Sequence, residues 1–378
     1  MNIILIISDT YRYDNLFDRA SMPVRTPHLD RFSERAVSLS SMVLASFPTP
    51  SHRTDVTTGR YFWPWADRSL TNHSPVLLEE AGYFTQFICD CPHLFKRGIN
   101  TGFNGAYELR GQEGDTYFLR MNRPFKEAMP LDKTRQDYHF QGRNLVDLHC
   151  WTNRHWYREE DRFAPRIAGL GVEWLEENFV HHPFFLWLDF FDPHEPWDPP
   201  EYMVKRYDPY YTGTPMIHPN YGRAGDMTAE ELRNLRAHYC AEAELADRWV
   251  GRVLEKIDDL GLWENSIVVF TSDHGMSLGE HNQAGKANRN LRDERFWPLY
   301  PEIAHVPFMV SAPGLEGGTT VDALTQPVDI LPTLMDLADV EVAPPQPFHG
   351  RSFAPLLRGE QQAPLREFAI CSATLRDG

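Results

Sequence analysis

"NIILIISD", residues Asn2 to Asp9, decides how this chain folds. Ile3-Ile4-Leu5-Ile6-Ile7 is apolar without interruption over the length of a strand, and Ser8 and Asp9 close it. An alternating pattern would mean one buried face. A continuous one means two, as in a parallel sheet covered by helices. "TQFICD" (85–90), "FFLWLDF" (184–190), "SIVVFTS" (266–272) and "VPFMVSA" (306–312) read the same way. Helical stripes lie between them. Ala246, Trp249, Val250, Val253, Leu254, Ile257 and Leu260 recur at helical spacing before a stop at Gly261, and Ile167, Leu170, Trp174 and Leu175 form a second stripe. Strands alternating with helices predict a layered α/β fold, and sites in such folds gather at the carboxyl ends of strands.

With 378 residues, 42% of them apolar, the chain can bury a sizeable core. A net charge of −16 repels phosphate backbones and excludes nucleic-acid binding as the main role. The five cysteines, Cys89, Cys91, Cys150, Cys240 and Cys371, have neither disulfide-framework nor zinc-site spacing, so they read as free thiols. No stretch has the composition of a secretory signal or a membrane span. These features predict a cytoplasmic protein; its oligomeric state is not readable.

Two strands end in acid, at Asp9 and at Asp273-His274, and a third ends at Asp189 with Asp192 and His194 just beyond. One Asp after a strand is commonly a helix cap. Three together, one followed by His, point to a metal site. Residues 110–162, rich in Arg, His and aromatic side chains, read as an insertion lining a substrate pocket or as a packed surface excursion. "FPTPSHRTDVTTGR" (47–60) crowds hydroxyls, prolines and arginines together, which suits a surface loop or an anion-handling site.

Taken in order, these fragments resemble the sulfatase family of the alkaline phosphatase superfamily. "ILIISD" resembles its first metal strand, "TPSHRTDVTTGR" its nucleophile motif and "DPHEPW" its active-site His segment. "GLWENSIVVFTSDHGMSLGEH" resembles its second metal strand, and "QPVDILPTLMDLADV" with "HGRSFAPLL" elements of the C-terminal part. The resemblance implies an alkaline phosphatase-like layered sheet with helices on both faces, and a smaller C-terminal α+β subdomain. The expected division is a catalytic domain over 1–312 and the start of that subdomain over 313–378, with relatives continuing through further strands.

The resemblance places Thr49 at the nucleophile position, with Arg53 one helical turn on as an anion clamp and backbone N–H groups nearby for the transferred group. The family's proline falls at Ser51, and Pro50 is shifted by one, which leaves Ser46 and Ser51 as alternatives. Metal ligands are implied at Asp9, Asp273 and His274, with Thr49 completing the set. One imidazole among carboxylates favours Mn²⁺ or Zn²⁺ over Mg²⁺ or Ca²⁺. His194 is implied as general acid and Lys286 as an anion-binding residue. His281, with Asp192 and His194, suggests a second metal, but one metal is favoured. Thr10 stands where sulfatases commonly carry another carboxylate, and Asp90 about where they carry a sulfate-contacting Lys. Thr49 cannot become the formylglycine of arylsulfatases.

The expectation is a metal-dependent hydrolase of phosphate mono- or diesters, or phosphonate esters, acting on a small anionic substrate through a metal-activated Thr. The alternatives are a sulfatase without formylglycine, a phosphoryl-group transferase, and a non-catalytic binding protein.

Overall fold

The structure, a computed structural model, describes residues 1–17, 22–62, 70–115, 139–140, 143–286, 299–361 and 363–371; side chains are described outside 139–148. Residues 116–138 and 141–142 of the expected insertion lie outside the described residues.

Eight strands build the main sheet: β1 (Asn2–Ser8), β2 (Val37–Met42), β3 (Phe84–Cys89), β4 (Gly105–Glu108), β5 (Phe184–Phe190), β6 (Ser266–Thr271), β7 (Phe308–Ser311) and β8 (Thr319–Thr325). Their spatial order is β8-β2-β7-β6-β1-β5-β3-β4. β1 lies centrally, parallel to β5 and β6, with Ile7 opposite Asp189 and Thr271. That register brings the ends of three strands, and hence Asp9, Asp189 and Asp273, to one edge.

β1 is apolar throughout because it faces two cores. Ile4 and Ile6 join one with residues of α3 (Phe163–Asn178) and α4 (Ala229–Asp259). Ile3, Leu5 and Ile7 join the other with Val56 of α2 (Thr49–Thr58) and Ile330 and Leu334 of α5 (Ile330–Leu337). Helix α1 (Pro27–Arg35) adds Leu29 and Phe32 to the first core. Both helical stripes seen in the sequence lie in α3 and α4. Thr228 starts α4 with a capping box to Glu231, and Gly261 follows it at φ 63°.

One reading of the strands is corrected. "VPFMVSA" forms β7, but β7 is antiparallel to both β6 and β2. Burial on both faces makes a strand continuously apolar whichever way it runs. The C-terminal portion, expected as a subdomain from residue 313, contributes β8 to the edge of the main sheet, parallel to β2. Among the described residues no helix is long and apolar enough to cross a membrane, and no disulfide joins the five cysteines.

Candidate metal centre and active site

Asp9 follows β1, and its N–H donates to Phe190 O at 2.9 Å, which anchors the turn to the neighbouring strand. Asp273 and His274 follow β6. Asp9, Asp273 and His274 are all buried, and their ligand-type atoms lie within 4.8 Å of one another. His274 Nδ1 donates to Gly275 O at 3.0 Å, so its proton sits there. The Nε2 lone pair then faces Asp273 Oδ2 at 3.5 Å and Asp9 Oδ1 at 4.0 Å. Burial pushes the His274 imidazolium down to about 4, leaving the neutral, ligating form. Burial and the Asp273 carboxylate push Asp9 well above the ordinary carboxylate range. Burial acts the same way on Asp273, but the Arg53 guanidinium, 2.8 Å from its Oδ2, overcomes it and holds Asp273 well below. A neutral imidazole nitrogen and two crowded buried carboxylates fit a divalent cation, which relieves their repulsion.

Thr10 tightens this pair. It adopts φ 60°, an unusual conformation for a β-branched residue. From there its N–H donates to Asp273 Oδ1 at 2.9 Å and its hydroxyl to Asp9 Oδ1 at 2.7 Å.

Thr49 opens α2, and its Oγ1 lies 3.4 Å from His274 Nε2. Helix α2 is polar, yet eight of its ten residues are buried, because it points its start into this site. Gly59 ends it at φ 63°, where a Cβ would sit 2.6 Å from the Phe348 ring. Ser46, an alternative nucleophile in the sequence, donates its hydroxyl to Asp55 Oδ1 at 2.9 Å.

Arg53 is placed differently from the expected anion clamp. Fully buried, it closes a fork on Asp189, Nε to Oδ2 at 2.8 Å and Nη2 to Oδ1 at 3.0 Å. Its Nη1 lies 2.8 Å from Asp273 Oδ2, and Nη2 reaches Asp9 Oδ2 at 3.4 Å. Its guanidinium thus faces three carboxylates. The expected amides are also engaged: Pro50 has no N–H, and Ser51 and His52 donate theirs to Pro48 O at 3.0 and 3.1 Å.

Lys286, 8% exposed, places Nζ 3.4 Å from Thr10 Oγ1 and 3.7 Å from Glu195 Oε2. His194 donates from Nδ1 to Glu195 O at 2.6 Å and stacks on Phe191 at 4.0 Å. Burial and Lys286 push the His194 imidazolium well below its ordinary value. Glu113 and Glu195 carboxylates approach Nδ1 at 3.4 and 3.5 Å. The sequence reading passed over both glutamates, although Glu195 stands inside "DPHEPW".

Asp192 and His281 do not join His194 in a ligand cluster among the described residues. Asp192 accepts from Ala164 N at 2.9 Å and Gln112 Nε2 at 3.0 Å, and His281 pairs with Glu302 at 3.5 Å. Asp90 holds the loop after β5, accepting Phe191 N at 2.8 Å.

The family model described as Sulfatase matches residues 1–340. The ulvan-active sulfatase of Formosa agariphila is 26% identical over 377 residues, covering 98% of this chain and 67% of its own length. An arylsulfatase of Clostridium perfringens is 26% identical, covering 97% of this chain and 80% of its own. Among solved structures, the phosphonate monoester hydrolase of Agrobacterium radiobacter superposes with a TM-score of 0.73 at 20% identity, covering 97% of this chain and 78% of that one.

Proposed function

This chain belongs to the sulfatase family, hydrolases of sulfuric and phosphoric esters, and we propose that it hydrolyses phosphate or phosphonate esters with Thr49 as nucleophile. The observation that carries the reading is the Thr49 hydroxyl, 3.4 Å from His274 Nε2 at the edge of the acidic cluster. Asp9, Asp273, His274 and Thr49 would hold a divalent ion, Mn²⁺ or Zn²⁺ by the donor set. Such an ion supplies Lewis acidity that makes a hydroxyl nucleophilic at neutral pH.

The chain's own residues then divide the work. Thr49 Oγ1 attacks phosphorus as its proton passes to solvent, and the bond to the ester oxygen breaks. His194 gives that oxygen a proton from Nε2. Lys286 faces the charge on the transferring group. An anionic ester beside Lys286 would offset the part of the bias against protonated His194 that comes from Lys286, the larger part coming from burial. Water then attacks the phosphorus held on Thr49, releasing the acid product and restoring the hydroxyl. Arg53 holds the carboxylates of Asp9, Asp189 and Asp273 in place.

A second reading, sulfate-ester hydrolysis without formylglycine, draws comparable support from the family and from relatives named as sulfatases. A threonine hydroxyl gives no aldehyde hydrate, so both readings run through the same Thr49 oxygen, and substrate preference separates them. Matched aryl phosphate, phosphonate and sulfate esters, given to protein made without a formylglycine-generating enzyme, test the choice. Higher kcat/KM for the phosphorus esters supports the first reading, and a wide preference for sulfate overturns it.

A further inference from the structure

Lys286 reaches the site from a small three-stranded sheet, formed by Gly222–Arg223, Ser277–Leu278 and Gln283–Gly285, outside the main one. An ammonium on a four-carbon stem carries several rotatable bonds, so something must fix it. Two features converge there. Tyr221 packs its ring against Gly285, the residue before Lys286; Gly285 has φ 100°, and a Cβ would lie 2.5 Å from that ring. The Tyr221 hydroxyl donates to Glu195 Oε1, while Glu195 Oε2 faces Lys286 Nζ at 3.7 Å. Glu195 is fully buried and Tyr221 nearly so.

We propose that Glu195, oriented by Tyr221, is the positioning residue that holds the Lys286 ammonium at the mouth of the candidate metal centre. Three elements separate in sequence meet in this line: the loop after β5, the turn into Gly222, and the strand ending at Gly285. At its far end Lys286 meets Thr10, whose hydroxyl bonds Asp9. Glu195 also closes on His194 through its main-chain carbonyl and its carboxylate. One carboxylate thus fixes the cation that faces the transferring group and backs the residue that protonates the leaving group. It needs no contact with substrate to do so. A partner of this kind is worth about 10–100-fold in activity.

The inference rests on the proposed role of Lys286, so the test separates the two. kcat/KM for an aryl phosphonate ester is measured for Glu195→Gln, Lys286→Met and the double variant, with Tyr221→Phe in both backgrounds. Glu195→Gln should lose about 10–100-fold in the parent. Tyr221→Phe, which keeps the ring on Gly285, should lose about 3- to 10-fold, the size of one hydrogen bond. In the Lys286→Met background both losses should shrink several-fold, leaving only what Glu195 does through His194. Losses that multiply would overturn the role of Glu195 while leaving that of Lys286 standing. A Lys286→Met variant with parental kcat/KM would overturn the role of Lys286, and this inference with it. Should Glu195→Gln not fold, the Tyr221→Phe cycle carries the same decision.

Discussion

Arg53 grips Asp189 through both prongs of its guanidinium, at 2.8 and 3.0 Å, and turns its remaining nitrogen onto Asp273 Oδ2 at 2.8 Å. The pairing joins the helix that carries Thr49 to the ends of β5 and β6. Arg53→Met would leave three buried carboxylates short of a cation, and breaking a buried pair typically costs about 3–5 kcal/mol. Arg53→Lys should recover only part of this, because an ammonium cannot form the fork. Denaturant unfolding measures both; an Arg53→Met variant as stable as the parent would contradict the organising role.

Metal dependence follows from the cluster of Asp9, Asp273 and His274. Exhaustive chelation should abolish turnover, and Mn²⁺ or Zn²⁺ should restore it. Asp273→Ala should lower metal content by elemental analysis and remove most activity. Full turnover by protein shown to be metal-free would rule the site out.

If His194 protonates the leaving oxygen, His194→Ala should harm poor leaving groups far more than activated aryl esters. General-acid help is worth about 10²–10⁴-fold. A linear free-energy plot across phenols of graded pKa reads the difference. Equal losses along the series would reassign His194 to a structural role.

Asp55 offers a prediction on stability. It accepts from Ser46 N, Ser46 Oγ and Phe62 N, yet burial pushes its carboxyl up to about 7. The folded chain therefore holds a proton that the unfolded chain releases near pH 4. The sign follows: the stability Asp55 contributes is full below about pH 4, falls as pH rises towards 7, and is then lost. Asp55→Asn should flatten this part of the profile, removing up to about 1.4 kcal/mol per pH unit. Profiles of the two proteins that run parallel between pH 5 and 8, at a constant offset, would show that Asp55 is instead ionised throughout.

The sheet was legible in the sequence because strands buried on both faces announce themselves, as Ile3–Ile7 does. Strand direction was not, and β7 runs against its neighbours for that reason. The carboxylates at strand ends were legible as a group because register alone brings Asp9, Asp189 and Asp273 together. What the sequence hid was how they share cations. Arg53, one turn after Thr49, fits an anion clamp equally well until Asp189 is seen opposite it. Helix α2 is buried without an apolar stripe, so periodicity could not reveal its packing. Glu195 and Tyr221 are far apart in the chain and meet only through the small sheet that carries Lys286.

In the proposed reaction Thr49 carries the transferred group. Rapid-quench mass spectrometry during turnover of an activated aryl phosphonate ester tests it directly. A transient mass gain, equal to the phosphonyl group, should appear on the peptide at Thr49 and be absent in Thr49→Ala. Label on Ser51 or Ser46 instead, or normal turnover by Thr49→Ala, would contradict it.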